Sequence, residues 1–233
     1  MTEILILLSH CISENTPLYG GQGKISISRD KNISKGDSCN TFTIAFQNHS
    51  GTHIDCPYHF DKEGKKTCDY TISDFIFEKP VIVEIKKNVG ELIMPSDFEK
   101  KTLTKKCQKA DLILIKTGFE KNRGTEEYFF KNPGVSAEAI RYIRSNFDNV
   151  RAIGIDAISI SSFMHREEGR RAHCAALKER PEILLIEDMC LSKVNSSIKL
   201  RKVYCIPLLI NEVDSAPVTI FAEKKTKSKS IQD

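Results

Sequence analysis

Residues 49–59 read HSGTHIDCPYH, and this stretch concentrates the chemically useful side chains of the chain. It holds three of the six histidines found in the 233 residues, together with one aspartate. Its glycine, its proline and its β-branched residues disfavour a helix. We therefore expect a tight turn followed by a short strand, in which His53 and Asp55 project from one face and Ile54 enters the core.

The turn in this stretch predicts a cluster of metal ligands. It would bring His49 beside His53 and Asp55, and two imidazoles with one carboxylate are the ligand set of a hydrolytic zinc site or a similar transition-metal site. His59 is suited either to be a fourth ligand or to shuttle protons beside the metal. Cys56 alternates away from Asp55 on a strand, so we interpret it as a core residue and not as a nucleophile.

Short apolar runs and helical signals extend on both sides of this stretch. The runs are typical of buried strands: ILILL at 4–8, FTIAF at 42–46, VIVEI at 81–85, LILI at 112–115, AIGI at 152–155, ILLI at 183–186 and VYCIPLLI from 203. Ser96 with Glu99 predicts a capping box, and Ser136 predicts the start of a second helix. A third helix is expected over 170–178, before Pro181. The pattern predicts a mixed α/β fold.

Charge and cysteine content limit the classes of protein further. The net charge is +4, with lysines concentrated near the end of the chain. We expect residues 1–222 to form one domain and residues 223–233 to form a basic tail without fixed structure. We interpret this tail as solvated and not as a segment that binds nucleic acid. The first apolar run is too short for a signal peptide or a membrane span, so we expect a cytoplasmic protein without a membrane partner. Eight cysteines without a CxxC pair indicate free thiols.

Five segments resemble one family, in the family's own order. HSGTHIDCPYHF resembles the H-x-G-T-H-x-D-x-P-x-H signature of the "Putative cyclase" family, whose members include bacterial kynurenine formamidases and isatin hydrolases. LSHCISENTPLYGG, LILIKTGFEK with EYFFKNPGVSAEAIRYI, AIGIDAISI and DSAPVTIFA resemble its other segments, so the resemblance reaches to about Ala222. It implies an α/β domain with a swivelling or barrel-like mixed sheet and flanking helices, in a homodimer.

The resemblance also assigns roles to single residues. His59 is the residue it implies as general base and acid. In members with two metals the aspartate bridges both ions, and a distant histidine and glutamate complete the second site. The metal ligands implied here are His49, His53, Asp55, His173 and Glu187. His10 matches a family position, but we expect it to pack and hydrogen-bond and not to bind metal; His165 is a candidate for substrate contact.

The function predicted from these observations is metal-dependent hydrolysis of a carbon–nitrogen amide bond. The expected substrate is an aryl formamide such as N-formylkynurenine, or a cyclic amide such as isatin, attacked by a metal-activated water. One or two divalent ions, zinc or manganese, are the expected cofactors. Leu8 stands where the family commonly has aspartate, and Asp188 where it has asparagine. The alternative is a catalytically silent relative that binds metal in a structural or regulatory role.

Overall fold

A curled, mixed β-sheet forms the centre of the protein. The computed structural model describes residues 4–224. The strands are β1 (Ile4–Leu7), β2 (Ser26–Lys31), β3 (Thr41–Ala45), β4 (His53–Asp55), β5 (Ile76–Phe77), β6 (Pro80–Glu84), β7 (Leu92–Ile93), β8 (Leu112–Lys116), β9 (Gly134–Val135), β10 (Ala152–Ile155), β11 (Leu184–Glu187), β12 (Leu200–Pro207) and β13 (Ser215–Lys224). The helices are α1 (Lys101–Cys107), α2 (Glu126–Phe130), α3 (Ala137–Asn146) and α4 (Arg166–Leu177).

Nine of these strands belong to one sheet, in the order β5-β12-β13-β4-β11-β10-β8-β6, with β1 also paired to β13. The pairs among β6, β8, β10 and β11 are parallel, and the other pairs are antiparallel. Since β12 also contacts β6, the two ends of the sheet approach each other and nearly close a barrel. The predicted mixed α/β fold with a barrel-like sheet and flanking helices is confirmed.

Side chains alternate between the interior of the curled sheet and the helices outside it. Ile54 and Ile186 belong to the interior cluster, whereas Leu185 belongs to the outer cluster, together with apolar residues of α3 and α4. Neighbours along a strand point to opposite faces. With Ile54 inside, His53 and Asp55 are therefore directed to the outer face, on the side of α4.

Two of the three expected helices form where their signals predict. Ser136 Oγ accepts a hydrogen bond from the Ala139 N–H at the start of α3, and α4 ends before Pro181, although it begins at Arg166 and not at residue 170. The prediction of a capping box formed by Ser96 and Glu99 is wrong. The carboxylate of Asp97 accepts from the Met94 N–H instead, within a single 3-10 turn, and α1 begins later, at Lys101.

The FTIAF run forms a strand, but the expectation that it is buried is wrong. It lies in β3, which pairs with β2 as a separate two-stranded ribbon. Phe42 and Ile44 are 47% and 54% exposed. A strand pattern gives the local conformation, but burial depends on whether another layer packs on the strand.

The chain end differs in one respect from the expected boundary at residue 222. Glu223 and Lys224 still belong to β13, where they pair with Leu5 and Ile4 of β1. The rest of the expected basic tail lies outside the described residues. Among residues 4–224, no helix is both long enough and apolar enough to cross a membrane.

Candidate metal centre and active site

Strand β4 places two polar side chains near the middle of the large sheet. It runs between β11 and β13, and the register pairs His53 with Glu187 of β11. Asp55 is paired with Leu185 on one side and with Ser215 on the other. Directly paired residues have Cβ atoms about 5 Å apart, so the register itself brings an imidazole and a carboxylate together.

Four side chains from β4, β11 and α4 form a buried cluster. His53 Nε2 lies 3.4 Å from Asp55 Oδ1 and 3.5 Å from Glu187 Oε2. His173, from α4, places its Nε2 atom 3.4 Å from Glu187 Oε1 and 3.8 Å from Asp55 Oδ2. All four residues are buried. Two imidazoles and two carboxylates that converge in this way match the donors of a transition-metal site.

Backbone carbonyls fix the orientation of both buried imidazoles. His53 Nδ1 lies 2.8 Å from the Gly51 carbonyl oxygen, and His173 Nδ1 lies 2.9 Å from the Gly169 carbonyl oxygen. A carbonyl oxygen only accepts hydrogen bonds, so the Nδ1 atoms carry protons and the Nε2 lone pairs face the cluster. Metal-binding histidines are typically oriented by such a bond.

Two atoms of the cluster form no well-aligned hydrogen bond within residues 4–224, although His49 Nδ1 lies 3.0 Å from one of them, Asp55 Oδ1. They are His53 Nε2 and Asp55 Oδ1, and both are buried. Buried polar atoms are nearly always paired, because leaving one unpaired costs about 1–3 kcal/mol. A cation between them would satisfy both atoms, so the residues present fit a divalent metal.

A second group, which shares Asp55, lies beside the first. His49 Nδ1 lies 3.0 Å from Asp55 Oδ1, and His49 Nε2 lies 3.1 Å from Asp214 Oδ2. The same Asp214 oxygen lies 2.6 Å from His59 Nδ1, and Asn48 Nδ2–H donates to the other oxygen, 2.6 Å away. His59 Nδ1 therefore donates to Asp214, which leaves His59 Nε2 able to accept a proton.

Sequence reasoning missed Asp214. It lies 155 residues after His59, just before β13. Its carbonyl oxygen accepts the Cys56 N–H at 2.9 Å, which fixes it beside the histidine-rich stretch. In the sequence, Asp214 is recognisable only as an acidic residue just before a predicted strand. That position indicates a site residue only when the strand is known to pair with β4.

Carboxylates and imidazoles in this region shift one another's pKa values. Burial alone would lower the pKa of His49, but Asp55 and Asp214 raise it to about 10. Burial also disfavours the charged forms of Asp55 and Asp214, yet the neighbouring histidines hold the pKa of both carboxyls below the usual value. The pKa of His173 is raised because Glu187 outweighs its burial. A metal would take the place of protons held by these imidazoles.

The ligand cluster opens into a cavity of about 700 Å³. Its walls include Tyr19 and three residues from the first turns of α4, which are Arg166, Glu167 and Arg170. Neither arginine forms an ion pair within residues 4–224, although the Arg166 guanidinium stands 5.4 Å from the centre of the Phe163 ring. Sequence reasoning missed these residues, although Arg170 precedes His173 by one helical turn, which places the two on one face.

The structure brings all six predicted site residues together around this cavity: His49, His53, Asp55, His59, His173 and Glu187. Their roles remain predictions. Ser159, which also lines the cavity, donates from Oγ to Glu187 Oε1 at 2.9 Å. Cys56 lies in the interior cluster, as expected. His165 is exposed and does not line the cavity.

Comparison with known proteins agrees with this arrangement. Residues 6–162 match the family model described as "Putative cyclase". A kynurenine formamidase of Geobacillus thermodenitrificans is 28% identical over 215 residues, covering 91% of this chain and 93% of that one. An uncharacterised protein of Methanocaldococcus jannaschii is 31% identical over 179 residues, covering 77% and 80% of the two chains.

Solved structures share the fold. An isatin hydrolase bound to the product analogue thioisatinate superposes with a TM-score of 0.78 at 16% identity, covering 95% of this chain and 92% of that one. A potential metal-dependent hydrolase with cyclase activity gives 0.75 at 21% identity, covering 97% and 100%. The prediction that the chain is an enzyme of the hydrolase class is confirmed by its kynurenine formamidase relatives. With a family model matched over more than half its length, the chain belongs to the "Putative cyclase" family.

Proposed function

We propose that this protein is a metal-dependent hydrolase that cleaves a carbon–nitrogen amide bond. One observation carries the proposal: His53 Nε2 and Asp55 Oδ1, two buried atoms that form no well-aligned hydrogen bond, lie 3.4 Å apart in the lining of the large cavity. A cavity with convergent polar groups and shifted pKa values is the expected form of an active site. In this proposal the residues expected as one domain, extended to the end of β13 at Lys224, act as one hydrolase domain.

Five residues are proposed as the metal ligands: His49, His53, Asp55, His173 and Glu187. Asp55 belongs to both groups of side chains described above, so it is the residue able to serve two ions. Zinc and manganese both accept imidazole and carboxylate ligands. When bound, such an ion supplies an acidified water and positive charge for the oxygen of the reacting carbonyl.

His59 is proposed to move the protons. Its Nδ1 atom is held by Asp214, so its Nε2 atom is the free position on the ring. His59 lines the cavity beside the proposed ligands and lies closest to His49, with ring centres 4.3 Å apart. From there it would accept a proton from the attacking water and return one to the leaving nitrogen.

The proposed substrate is an aryl formamide such as N-formylkynurenine, or a cyclic amide such as isatin. Aromatic contacts support a flat substrate, since Phe60 stacks on His173 at 5.0 Å between ring centres and lines the cavity. Arg166 and Arg170 at the cavity wall lack carboxylate partners within the described residues, which favours a substrate with a negatively charged group.

Hydrolysis of N-formylkynurenine by the metal-replete protein, beside a chelator-treated sample, tests the proposal. We expect turnover that chelation abolishes and that zinc or manganese restores. Isatin and an aryl formamide without a carboxylate complete the panel, and the latter is expected to have a higher KM. A metal-loaded protein without activity on the whole panel would contradict the proposal and favour the catalytically silent relative.

We further propose a cytoplasmic homodimer. The β2–β3 ribbon supports self-association, because Phe42 and Ile44 are exposed on β3 and Ile33, in the segment between the strands, is also 58% exposed. Sedimentation should give twice the mass of one chain, and Ile44→Lys should give the monomer. A monomeric unmodified protein would contradict the proposal.

A further inference from the structure

A second cluster of ligating side chains lies apart from the cavity. It contains His10, which follows β1; Glu120, which lies in the turn after β8; and Cys190, which follows β11. One ligand atom from each residue lies within 4.8 Å of the other two. None of the three residues lines the cavity that holds the proposed active site.

The histidine of this cluster has a buried nitrogen without a partner. His10 Nε2 makes no hydrogen bond within residues 4–224, and it lies 3.9 Å from Glu120 Oε1, too far for one. An Nε2 atom without a hydrogen-bond partner can offer its lone pair to a metal when the neutral ring carries its proton on Nδ1.

Backbone contacts hold the three segments in place. The His10 N–H donates to Thr52 Oγ1 at 2.9 Å, and the Cys190 N–H donates to the Leu8 carbonyl oxygen at 2.9 Å. Glu120 Oε2 accepts the N–H of the residue after Cys190 at 2.7 Å, which leaves Oε1 for another partner. The arrangement is therefore built by three separate parts of the fold and does not depend on one flexible loop.

The donor set indicates the class of ligand. A thiol, an imidazole and a carboxylate are the side chains that bind zinc, whereas magnesium and calcium prefer oxygen alone. Ligand atoms around a tetrahedral zinc ion lie roughly 3.3–3.8 Å apart, from bonds of about 2.0–2.3 Å. The observed 3.9 Å between His10 Nε2 and Glu120 Oε1 is close to this range, and all three ligand atoms lie within 4.8 Å of one another, so binding requires them to move together by up to about 1 Å.

We propose that His10, Glu120 and Cys190 form a second metal site, selective for zinc-like ions and separate from the proposed catalytic centre. Binding releases the thiol proton of Cys190 to solvent and leaves a thiolate ligand. The ion would join the segments that follow β1, β8 and β11. Water completes its coordination.

Cobalt(II) titration of the metal-free, full-length protein tests this site. A thiolate bound to cobalt gives a charge-transfer absorption that the proposed catalytic centre cannot give, since none of its ligands is a cysteine. We expect one equivalent of this signal in the unmodified protein and in Asp55→Ala, which disables the catalytic centre. Cys190→Ser should abolish the signal, and Cys11→Ser, a control at the neighbouring exposed cysteine, should keep it.

Glu120→Gln is a second variant that is expected to fold, because the amide oxygen of Gln can still accept the Leu191 N–H. Changing residues around bound metals costs about 10–100-fold in affinity even when they are not ligands. We therefore expect Glu120→Gln to weaken cobalt binding at least about tenfold, with an unchanged circular dichroism spectrum. Absence of the charge-transfer signal from the unmodified protein, or its survival in Cys190→Ser, would overturn the proposal.

Discussion

Asp214→Asn removes the charge at Asp214 but keeps the shape of the side chain. In the unmodified protein, one oxygen of Asp214 lies 2.6 Å from His59 Nδ1 and 3.1 Å from His49 Nε2. The Asn amide oxygen can still accept both bonds, and Asn48 can turn its own amide to match. The change therefore tests whether a negative charge behind His59 assists proton transfer.

The size of the effect follows from the strength of that bond. A hydrogen bond to a charged group contributes about 1.5–3 kcal/mol, and one between neutral groups about 0.5–1.5 kcal/mol. Asp214 is 24% exposed, so solvent screens it only in part. The loss of about 1–1.5 kcal/mol in the transition state, where His59 is protonated, corresponds to a fall in kcat of about tenfold. KM should change little, because the substrate does not contact Asp214 in this scheme.

The assay measures kcat, KM and metal content on the same metal-replete preparations. Asn48→Ala is the matched control, since it removes a hydrogen bond to Asp214 but not the charge, and it should reduce kcat less than Asp214→Asn does. In a His59→Ala background, Asp214→Asn should have no further effect on kcat. Full activity of Asp214→Asn would refute the reasoning, and a fall in kcat explained by lost metal would assign the effect to His49 instead.

Other outcomes are expected at the site and beside it. His59→Ala should keep its metal but lose roughly a hundredfold or more in turnover, whereas Asp55→Ala should lose metal as well; full activity of His59→Ala, measured by steady-state kinetics, would rule out its assigned role. Because the pKa of His49 is raised to about 10, its imidazole holds a second proton at lower pH, and a metal must displace that proton to bind. The affinity of the protein for the metal should therefore fall about tenfold for each unit from pH 8 to pH 5. Equilibrium dialysis measures this, and a flat profile would contradict histidine ligation. Arg123→Leu should destabilise the fold by about 3–5 kcal/mol, since it leaves the buried Asp188 carboxylate without its bidentate partner at 2.7 and 2.9 Å. Thermal unfolding should show a lower midpoint that Asp188→Asn partly restores, and an unchanged midpoint would show that the pair contributes little.

Local sequence rules predicted the parts of the fold that depend on neighbours in the chain. Ser136 caps α3 because its hydroxyl reaches a backbone N–H three residues away. His53 and Asp55 share a face because strands alternate, and one turn suffices to bring His49 to Asp55. These relations are set within a few residues, so periodicity and turn chemistry determine them.

Relations set by strand pairing and packing were beyond those rules. The exposure of Phe42 depends on which layer covers β3, and the place of Asp214 depends on the pairing of β13 with β4. The approach of His173 to Glu187 was expected only from the resemblance to a family. Periodicity placed Phe42 in a strand and His173 in a helix, but the distances between such residues follow from the crossover connections of the sheet.

The position of β4 between two hydrogen-bonded neighbours also bears on the motions of the protein. A three-residue strand paired on both sides separates only if its hydrogen bonds to both β11 and β13 break, or if one of these strands leaves with it. Its amide hydrogens should therefore exchange with solvent only when the whole domain unfolds, while those of the exposed β2–β3 ribbon exchange through local opening. Two of the five proposed metal ligands, His53 and Asp55, thus lie on a segment that we expect to be among the slowest to exchange within residues 4–224.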